Sequence, residues 1–178
     1  MSRVSGLTLS VSATTRPRRA GERDGRDYFF LSESEFREWI GAGLFLEWAE
    51  YAGNLYGTPA LAVEKNLEAG YGVILEIELK GADQILSKCP EAVMIYIVPP
   101  SLDELERRLR GRRTESEEAI KSRLARAREE MAAVEEKVQW GLPVLHHVIV
   151  NDSVRRASDE LAAIIKRTRE EDEQADSR

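Results

Sequence analysis

The sequence predicts an α/β domain built on a parallel sheet with helices on both faces. Two apolar runs, "YGVILEIE" at 71–78 and "AVMIYIVPP" at 92–100, are continuous rather than alternating, which is typical of strands buried on both faces. A helical segment, "GADQILSKC" at 81–89, lies between them, and a third apolar run, "HHVIVND", lies at 146–152. Strands that alternate with helices indicate a parallel sheet. The chain of 178 residues, 42% of them hydrophobic, is long enough for a single domain over 1–178.

The first third of the chain predicts a smaller β-rich lobe. Residues 7–12, "LTLSVS", alternate apolar and hydroxyl side chains like a half-buried strand, and the turn "TTRPRRAGE" follows. "DYFFLS" and "FLEWAEYAGNLYGTP" are predicted to form short strands on either side of a helix over "ESEFREWIGAG". The candidate caps of this helix are Ser32 and Ser34 at its start and Gly41 and Gly43 at its end. We expect a lobe of mixed β structure over 22–58.

The remaining segments predict helices around the buried strands. "TPALAVEKNLEAG" has Pro59 near a helix start and Gly70 at its stop. Leucines at helical spacing follow Ser101, the pattern breaks at Gly111, and it then resumes, so two helices with an arginine-rich joint are predicted. The last helix is expected after the strand in "HHVIVND", and the polar tail "RTREEDEQADSR" is expected to be disordered.

Composition and charge exclude several functional classes. The formal net charge of −6 disfavours general nucleic-acid binding, because that affinity depends on the number of phosphates neutralised. The single Cys89 excludes an intramolecular disulfide, and no apolar run reaches the roughly 20 residues that span a bilayer. Adjacent His146 and His147 point to opposite faces of a strand, which argues against a shared metal site. We expect a cytoplasmic protein that binds neither nucleic acid nor membrane.

The stretch "SVSATTRPRRAGERDGRDYFF", residues 10–30, is a candidate anion site. Arg16, Arg18 and Arg19 surround a rigid proline, and guanidinium groups donate in pairs to phosphate oxygens. These residues alone fit a phosphate clamp and a solvated basic turn equally well. Phosphate binding is favoured when further hydroxyls and a carboxylate are added, namely Tyr28, Tyr56, Thr58 and Glu47. A lone carboxylate in an aromatic setting can accept both N–H donors of guanine, a donor pair that adenine lacks.

Five motifs follow one another along the chain: "SVSATTRPRRAGERDGRDYFF", "FLEWAEYAGNLYGTP", "ILEIELKGA", "RRLRGR" and "VIVND". In these motifs, from about Leu7 to about Arg169, the chain resembles guanylate kinase, which moves the γ-phosphoryl group of ATP to GMP. The resemblance implies a P-loop-kinase-like parallel sheet, a GMP-binding lobe over 22–58 and a helical lid over 102–137. It also implies a role in purine nucleotide metabolism and the use of Mg²⁺ together with ATP.

The resemblance also assigns roles to individual residues, with arginines and tyrosines on the phosphate of GMP and Glu47 and Ser12 on its base. The GMP positions are Ser12, Arg16, Arg19, Glu22, Tyr28, Glu47, Tyr56 and Thr58, with Glu76 and Glu78 as the acidic pair that the family places beside GMP and the metal. The lid arginines, which would approach the transferred phosphoryl group on closure, are Arg108, Arg112 and Arg123. Asn151 falls on the position that meets the adenine of ATP. We assign no residue of this chain as a metal ligand.

The sequence departs from the family pattern at three places. Glu78 is one methylene longer than the Asp that is usual there, and Lys80 stands where a neutral glutamine is common. The family's phosphate loop has the form G-x-x-x-x-G-K-[ST], and none of the glycines is followed by lysine. We therefore expect the first strand and the phosphate loop to be missing, ATP to bind only if such a loop is supplied, and the chain alone to be inactive and without a cofactor of its own.

Three interpretations of function remain open. The first is a guanylate kinase whose sequence begins too late, and it is favoured by the lid arginines and Asn151, because these residues serve ATP. The second is a catalytically inactive module that binds GMP or a protein, and the intact phosphate arginines favour the nucleotide over a peptide. The third is a kinase that obtains its donor site from another chain. A homodimer is compatible with each.

Overall fold

The structure is a computed structural model that describes residues 4–111, 116–139 and 147–176. The chain divides into two compact units, Met1–Ala92 and Val93–Arg178. Helices and strands alternate through both, and each unit contains a pair of parallel strands. The predicted α/β class is confirmed.

The parallel pair of the first unit consists of β1, Leu7–Leu9, and β6, Gly72–Ile74. Both strands are shorter than the segments that predicted them, 7–12 and 71–78. The backbone N–H of Ser10 still donates to the carbonyl of Ile74, at 2.9 Å, and beyond this bond the chain leaves β6 to enter a second sheet. The strand pattern in the sequence therefore continues past the point where the backbone has a partner.

The second sheet is four-stranded and mixed, in the order β3-β2-β5-β4. Its strands are β2, Ala13–Thr14; β3, Phe29–Phe30; β4, Phe45–Tyr51; and β5, Asn54–Pro59. Strand β2 is parallel to β3 and antiparallel to β5, which forms a hairpin with β4. The mixed β structure was expected, but the sheet includes β2, which lies N-terminal to the predicted lobe boundary at residue 22.

A helix packs on this sheet and closes its core. Helix α1, Glu33–Gly41, begins with a capping box between Ser32 and Glu35, so the predicted serine cap is confirmed. The chain leaves α1 through Gly43, whose φ of 68° favours glycine. The buried side chains that α1 and the strands share are Ala13, Phe36, Phe45 and Leu55, with the rings of Phe36 and Phe45 stacked at 4.5 Å.

Two further helices complete the first unit. Helix α2, Ala60–Glu68, follows Pro59 and ends just before Gly70, as the sequence predicts. Helix α3, Leu79–Lys88, begins directly after Glu78 and contacts strand β4 along its length. Helix α3 therefore follows the acidic segment that contains Glu76 and Glu78, and it contacts the strand that carries Glu47.

The second unit contains the parallel pair β7, Ile95–Val98, and β8, His147–Val150. Its helices are α4, Leu102–Gly111; α5, Glu117–Gln139; and α6, Val154–Asp176. The expected break at Gly111 between two helices is confirmed. In the part of the chain that the structure describes, none of the helices combines the length and apolar character that crossing a membrane requires.

Helix α6 corrects one expectation. The polar tail was predicted to be disordered, but the helix runs on to Asp176. Its first half packs on β8 through the buried residues Ile149, Ala157 and Ile164. Arg, Glu, Gln and Ala are good helix formers, so the tail extends a helix that packing has already nucleated. The polar composition of the tail is therefore compatible with a helix.

Candidate functional site

Glu22 organises the arginine turn, residues 15–28, that was predicted to contact phosphate. Arg16 Nη2 donates to Glu22 Oε1 at 2.7 Å, and the backbone N–H of Arg19 donates to Glu22 Oε2, also at 2.7 Å. The bond from Arg16 and the bond from the Arg19 backbone hold the pKa of Glu22 below its usual value. The carboxylate thus links the side chain of Arg16 to the backbone of Arg19.

Aromatic rings fix the guanidinium of Arg16 from the other side. Its Cζ lies 5.3 Å from the ring centre of Tyr28 and 5.8 Å from that of Phe30, and the side chain is 13% exposed. The hydrogen bond to Glu22 raises the pKa of Arg16, and Tyr56 adds a smaller effect in the same direction. Arg16 is therefore a charged donor held in one orientation.

The two tyrosines predicted for the phosphate lie beside each other. The rings of Tyr28 and Tyr56 meet edge to face with their centres 6.3 Å apart. Burial raises the pKa of Tyr28, and the charge of Glu76 contributes to the same rise. The structure thus brings together the two tyrosines and the guanidinium group of Arg16.

Glu47 is a carboxyl group in an almost fully buried position, since the residue is only 4% exposed. It stands on β4 opposite Thr58 of β5, and the Thr58 hydroxyl donates to Glu47 Oε1 at 2.6 Å. Burial raises the pKa of Glu47, while the bonds from Thr58 oppose that rise. A carboxylate accepts only, and it has room for about four hydrogen bonds, so Glu47 retains acceptor capacity beyond Thr58.

Ser12 and Glu78, two further residues predicted for the GMP site, are located by the strand and the helix that directly follow them. The carbonyl of Ser12 accepts the N–H of Phe29 at 2.9 Å, which pairs the start of β2 with β3. Glu78 is the N-cap residue of α3, without a capping bond from its side chain. The described residues contain no group of three His, Cys, Asp or Glu side chains that could hold a metal ion.

The second unit brings together Arg108 and Asn151. Arg108 Nη1 donates to the backbone carbonyl of Asn151 at 2.8 Å, Nη2 donates to that of Asp152 at 3.3 Å, and Nε donates to Glu104 at 2.6 Å. Glu104 also bonds Arg107, and the bonds from Arg107 and Arg108 lower its pKa to about 2. The Oδ1 atom of Asn151 is buried without a hydrogen-bond partner.

Two further arginines were predicted for the lid. Arg123 lies half-buried on α5. Arg112 lies outside the residues that the structure describes. Of the three predicted lid arginines, Arg108 is the one for which the structure describes a contact with Asn151.

A family model for guanylate kinase matches residues 3–168 of the chain. The chain belongs to the guanylate kinase family. The guanylate kinase of Rubrobacter xylanophilus is 55% identical over 164 residues, which cover 92% of this chain and 82% of the relative. The guanylate kinase of Trichodesmium erythraeum is 50% identical over 166 residues, covering 93% and 84%.

Solved structures agree with this assignment. The crystal structure of guanylate kinase from Anaplasma phagocytophilum superposes with a TM-score of 0.74 and 32% sequence identity. The match covers 93% of this chain and 77% of that chain. The guanylate kinase fold and the family predicted from the sequence motifs are both confirmed.

Sequence reasoning missed two residues of α3 that contact β4 at or next to Glu47. Gly81 is buried against Glu47, so close that a methyl group at position 81 would overlap Oε2 and lie 3.0 Å from Cδ. Gln84 bonds the backbone of Trp48, the residue after Glu47. A glycine inside a predicted helix was the available signal, because such a glycine often marks a close approach.

Proposed function

We propose that this member of the guanylate kinase family binds GMP through its first unit and, where a phosphate loop is supplied, transfers the γ-phosphoryl group of ATP to it. The observation that carries the proposal is the buried carboxyl group of Glu47, whose Oε1 already accepts from Thr58. Guanine presents two neighbouring N–H donors, at N1 and at the 2-amino group, whereas adenine presents an acceptor at the equivalent edge. If adenine were bound, the buried Glu47 acceptor would lack these donors, and the cost of leaving it unpaired would disfavour AMP.

The phosphate of GMP would lie against the arginine turn and the tyrosine pair. Arg16 and Arg19 supply charged donors, and Tyr28 and Tyr56 supply neutral hydroxyls. Charge-assisted bonds from guanidinium to phosphate are roughly twice as strong as neutral ones. Because Glu22 already holds Arg16 and the Arg19 backbone in place, little side-chain freedom is lost when the phosphate binds. Ser12 would complete the site on the base side.

The ATP side of the proposal rests on the second unit. The unpartnered Oδ1 of Asn151 is an acceptor that fits the amino group of adenine. Arg108, with Arg112 and Arg123, would neutralise charge on the moving phosphoryl group, which is the main protein contribution to such transfers. For this Arg108 must exchange the carbonyls of Asn151 and Asp152 for phosphate oxygens.

Mg²⁺ belongs to the same proposal. Carboxylate oxygens suit Mg²⁺, which usually takes one or two of them together with phosphates, and the ion would bind beside Glu76 and Glu78, neither of which we assign as its ligand. Bound there, the ion would neutralise charge on the phosphates of ATP. The 178 residues contain no glycine followed by lysine, so we assign no residue of this sequence to a phosphate loop. A cytoplasmic location and a homodimer stay predictions.

Calorimetric titration of the 178-residue chain with GMP and AMP tests the base assignment. We expect GMP to bind more tightly by about 1–3 kcal/mol, which corresponds to roughly 5- to 150-fold. Glu47→Gln should remove this preference, and the matched control Glu50→Gln, an exposed position on the same strand, should keep it. Equal affinities of the unaltered chain for the two nucleotides would refute the proposal.

A coupled assay of GMP-dependent ATP consumption tests the transfer step separately. Turnover that requires both GMP and Mg²⁺ supports the kinase, and Arg108→Ala should then lower kcat more than the affinity for GMP. Binding of GMP without any turnover would leave this chain a GMP-binding module, the alternative that the sequence kept open.

A further inference from the structure

Strand β4 is an edge strand whose outer side is covered by a helix rather than by another strand. The sheet order β3-β2-β5-β4 leaves one side of β4 without a ladder. Unpaired N–H and C=O groups on such an edge need other partners. Helix α3 lies along this side, and its contact with β4 is among the most extensive between elements of the first unit.

Two side chains of α3 act as partners for the edge. The amide of Gln84 bonds both backbone groups of Trp48, accepting from its N–H at 3.2 Å and donating to its carbonyl at 2.7 Å. Lys88 Nζ donates to the carbonyl of Phe45, at 3.2 Å, and to that of Leu46. The amide of Gln84 thus reproduces the pair of bonds that a neighbouring strand would make at this position.

Gly81 lies on the same face of α3, since residues three and four apart on a helix are neighbours. A methyl group at position 81 would overlap Glu47 Oε2, lie 3.0 Å from Cδ and lie 3.4 Å from Cγ. The backbone of Gly81 is helical and does not need glycine for its conformation. Alanine would be the better helix former, so the reason for a glycine here is the space that the Glu47 carboxyl group occupies.

We propose that Gly81 and Gln84 are positioning residues for guanine recognition, acting through Glu47. Gln84 fixes the backbone of the residue next to Glu47, and Gly81 leaves the volume into which the Glu47 carboxyl group extends. A carboxylate displaced by a fraction of an ångström meets two N–H donors poorly, because hydrogen bonds weaken steeply with angle. This inference rests on the proposed role of Glu47 as the acceptor for guanine.

The first test compares Gly81→Ala with Gly41→Ala. Gly41 ends α1 and has open space around it, so the same methyl group meets nothing there. We expect Gly81→Ala to weaken GMP by about tenfold or more while AMP binding stays unchanged, and Gly41→Ala to change neither affinity. An equal loss of GMP and AMP affinity in Gly81→Ala would indicate general damage and would overturn the inference, as would no change in either.

A double-mutant cycle with Glu47→Asp makes the test specific. Asp is one methylene shorter, so its carboxyl group withdraws from the space that a methyl group at position 81 would fill. We expect the added effect of Gly81→Ala on GMP binding to be at least about threefold smaller in the Glu47→Asp background, because close residues are non-additive. Strictly additive effects in the cycle would contradict a contact between the two side chains.

Gln84→Ala gives a second, independent variant, which decides the matter if Gly81→Ala does not fold. It should weaken GMP severalfold, with AMP unaffected and with the near-ultraviolet circular dichroism unchanged. An unaltered ratio of GMP to AMP affinity in Gln84→Ala would overturn the inference. If the unaltered chain shows no preference for GMP, the proposed function itself fails, whereas a preference that both variants keep refutes only the positioning role.

Discussion

Glu47 and Glu22 are two carboxyl groups of one site with opposite shifts in pKa. Burial raises the pKa of Glu47, whereas the bonds from Arg16 and the Arg19 backbone lower that of Glu22. As the pH falls, Glu47 therefore takes up a proton before Glu22 does. In the free protein, the raised pKa of Glu47 favours folding below its ordinary value of 4.5, and this contribution is lost as the pH rises through the raised pKa.

Guanosine binding should therefore depend on pH through Glu47. Only the ionised carboxylate accepts both guanine donors, so affinity should rise as the pH is raised from the ordinary glutamate value of 4.5 through the raised pKa. Guanosine is the ligand of choice, because the phosphate group of GMP titrates itself and would add a pH dependence of its own. Calorimetry over this range checks the expectation, and Glu47→Gln should show a flat profile. A flat profile in the unaltered chain would contradict it.

Arg16 should be needed for the phosphate and not for the base. Arg16→Ala removes a guanidinium held by Glu22 and the two rings, and we expect a loss of about 1.5–3 kcal/mol for GMP, or roughly 10- to 150-fold. Guanosine should bind as before. Arg18→Ala, the same charge change at an exposed position of the same turn, is the control and should cost much less. Equal losses for GMP and guanosine would argue against a phosphate role.

At the scale of single elements, the turn of the β4–β5 hairpin contains an alanine in an unfavourable backbone conformation. Tyr51 and Asn54 pair directly, so the turn consists of Ala52 and Gly53, with φ of 49° and 74°. A two-residue turn with positive φ at both positions suits Asn-Gly, and a side chain such as Ala is disfavoured there. The hairpin therefore forms despite its first turn residue, because the packing of β4 and β5 outweighs the local cost.

Ala52→Asn should raise the stability of the chain. Asn adopts the left-handed conformation more readily than Ala, for which it costs roughly 1–2 kcal/mol, so we expect a gain of about 0.5–1 kcal/mol. Urea unfolding checks the gain, with Ala42→Asn as control, since Ala42 has an ordinary φ of −83°. A gain of the same size in both variants would show that the turn conformation is not its source.

The sequence predicts elements better than it predicts their partners. Ser32, Pro59 and Gly70 gave the helix limits correctly, because capping and turn chemistry act within a few residues. The predicted strands were longer than the observed ones, since the alternation in 7–12 continues beyond the last backbone hydrogen bond to β6. Glu47 was predicted from its residue type and its motif. The local signal for Gly81, a glycine inside a predicted helix, does not identify Glu47 as its neighbour, because that contact arises from the packing of α3 on β4.

For the whole molecule, the division into two units makes the location of GMP binding testable. Glu47, proposed to contact the base, and the arginine turn both lie in the unit Met1–Ala92. We expect GMP at about 100 times its Kd to protect amides of this unit from hydrogen exchange by up to about 2.7 kcal/mol, with little effect in Val93–Arg178. AMP at the same concentration is the control. Equal protection in both units would indicate that binding involves the second unit as well.

Because α3 covers the edge of β4, it also affects whether copies of the chain can associate through that edge. An uncovered edge strand is a template on which a strand of another molecule can add, and this is a common start of aggregation. Gln84 and Lys88 occupy the backbone groups of Phe45, Leu46 and Trp48 on that edge. Changing both side chains to alanine should therefore leave a stretch of β4 open to intermolecular pairing, seen as self-association that increases with protein concentration in light scattering. We therefore expect the helix face that carries Gln84 and Lys88 to limit polymerisation of the protein through this sheet.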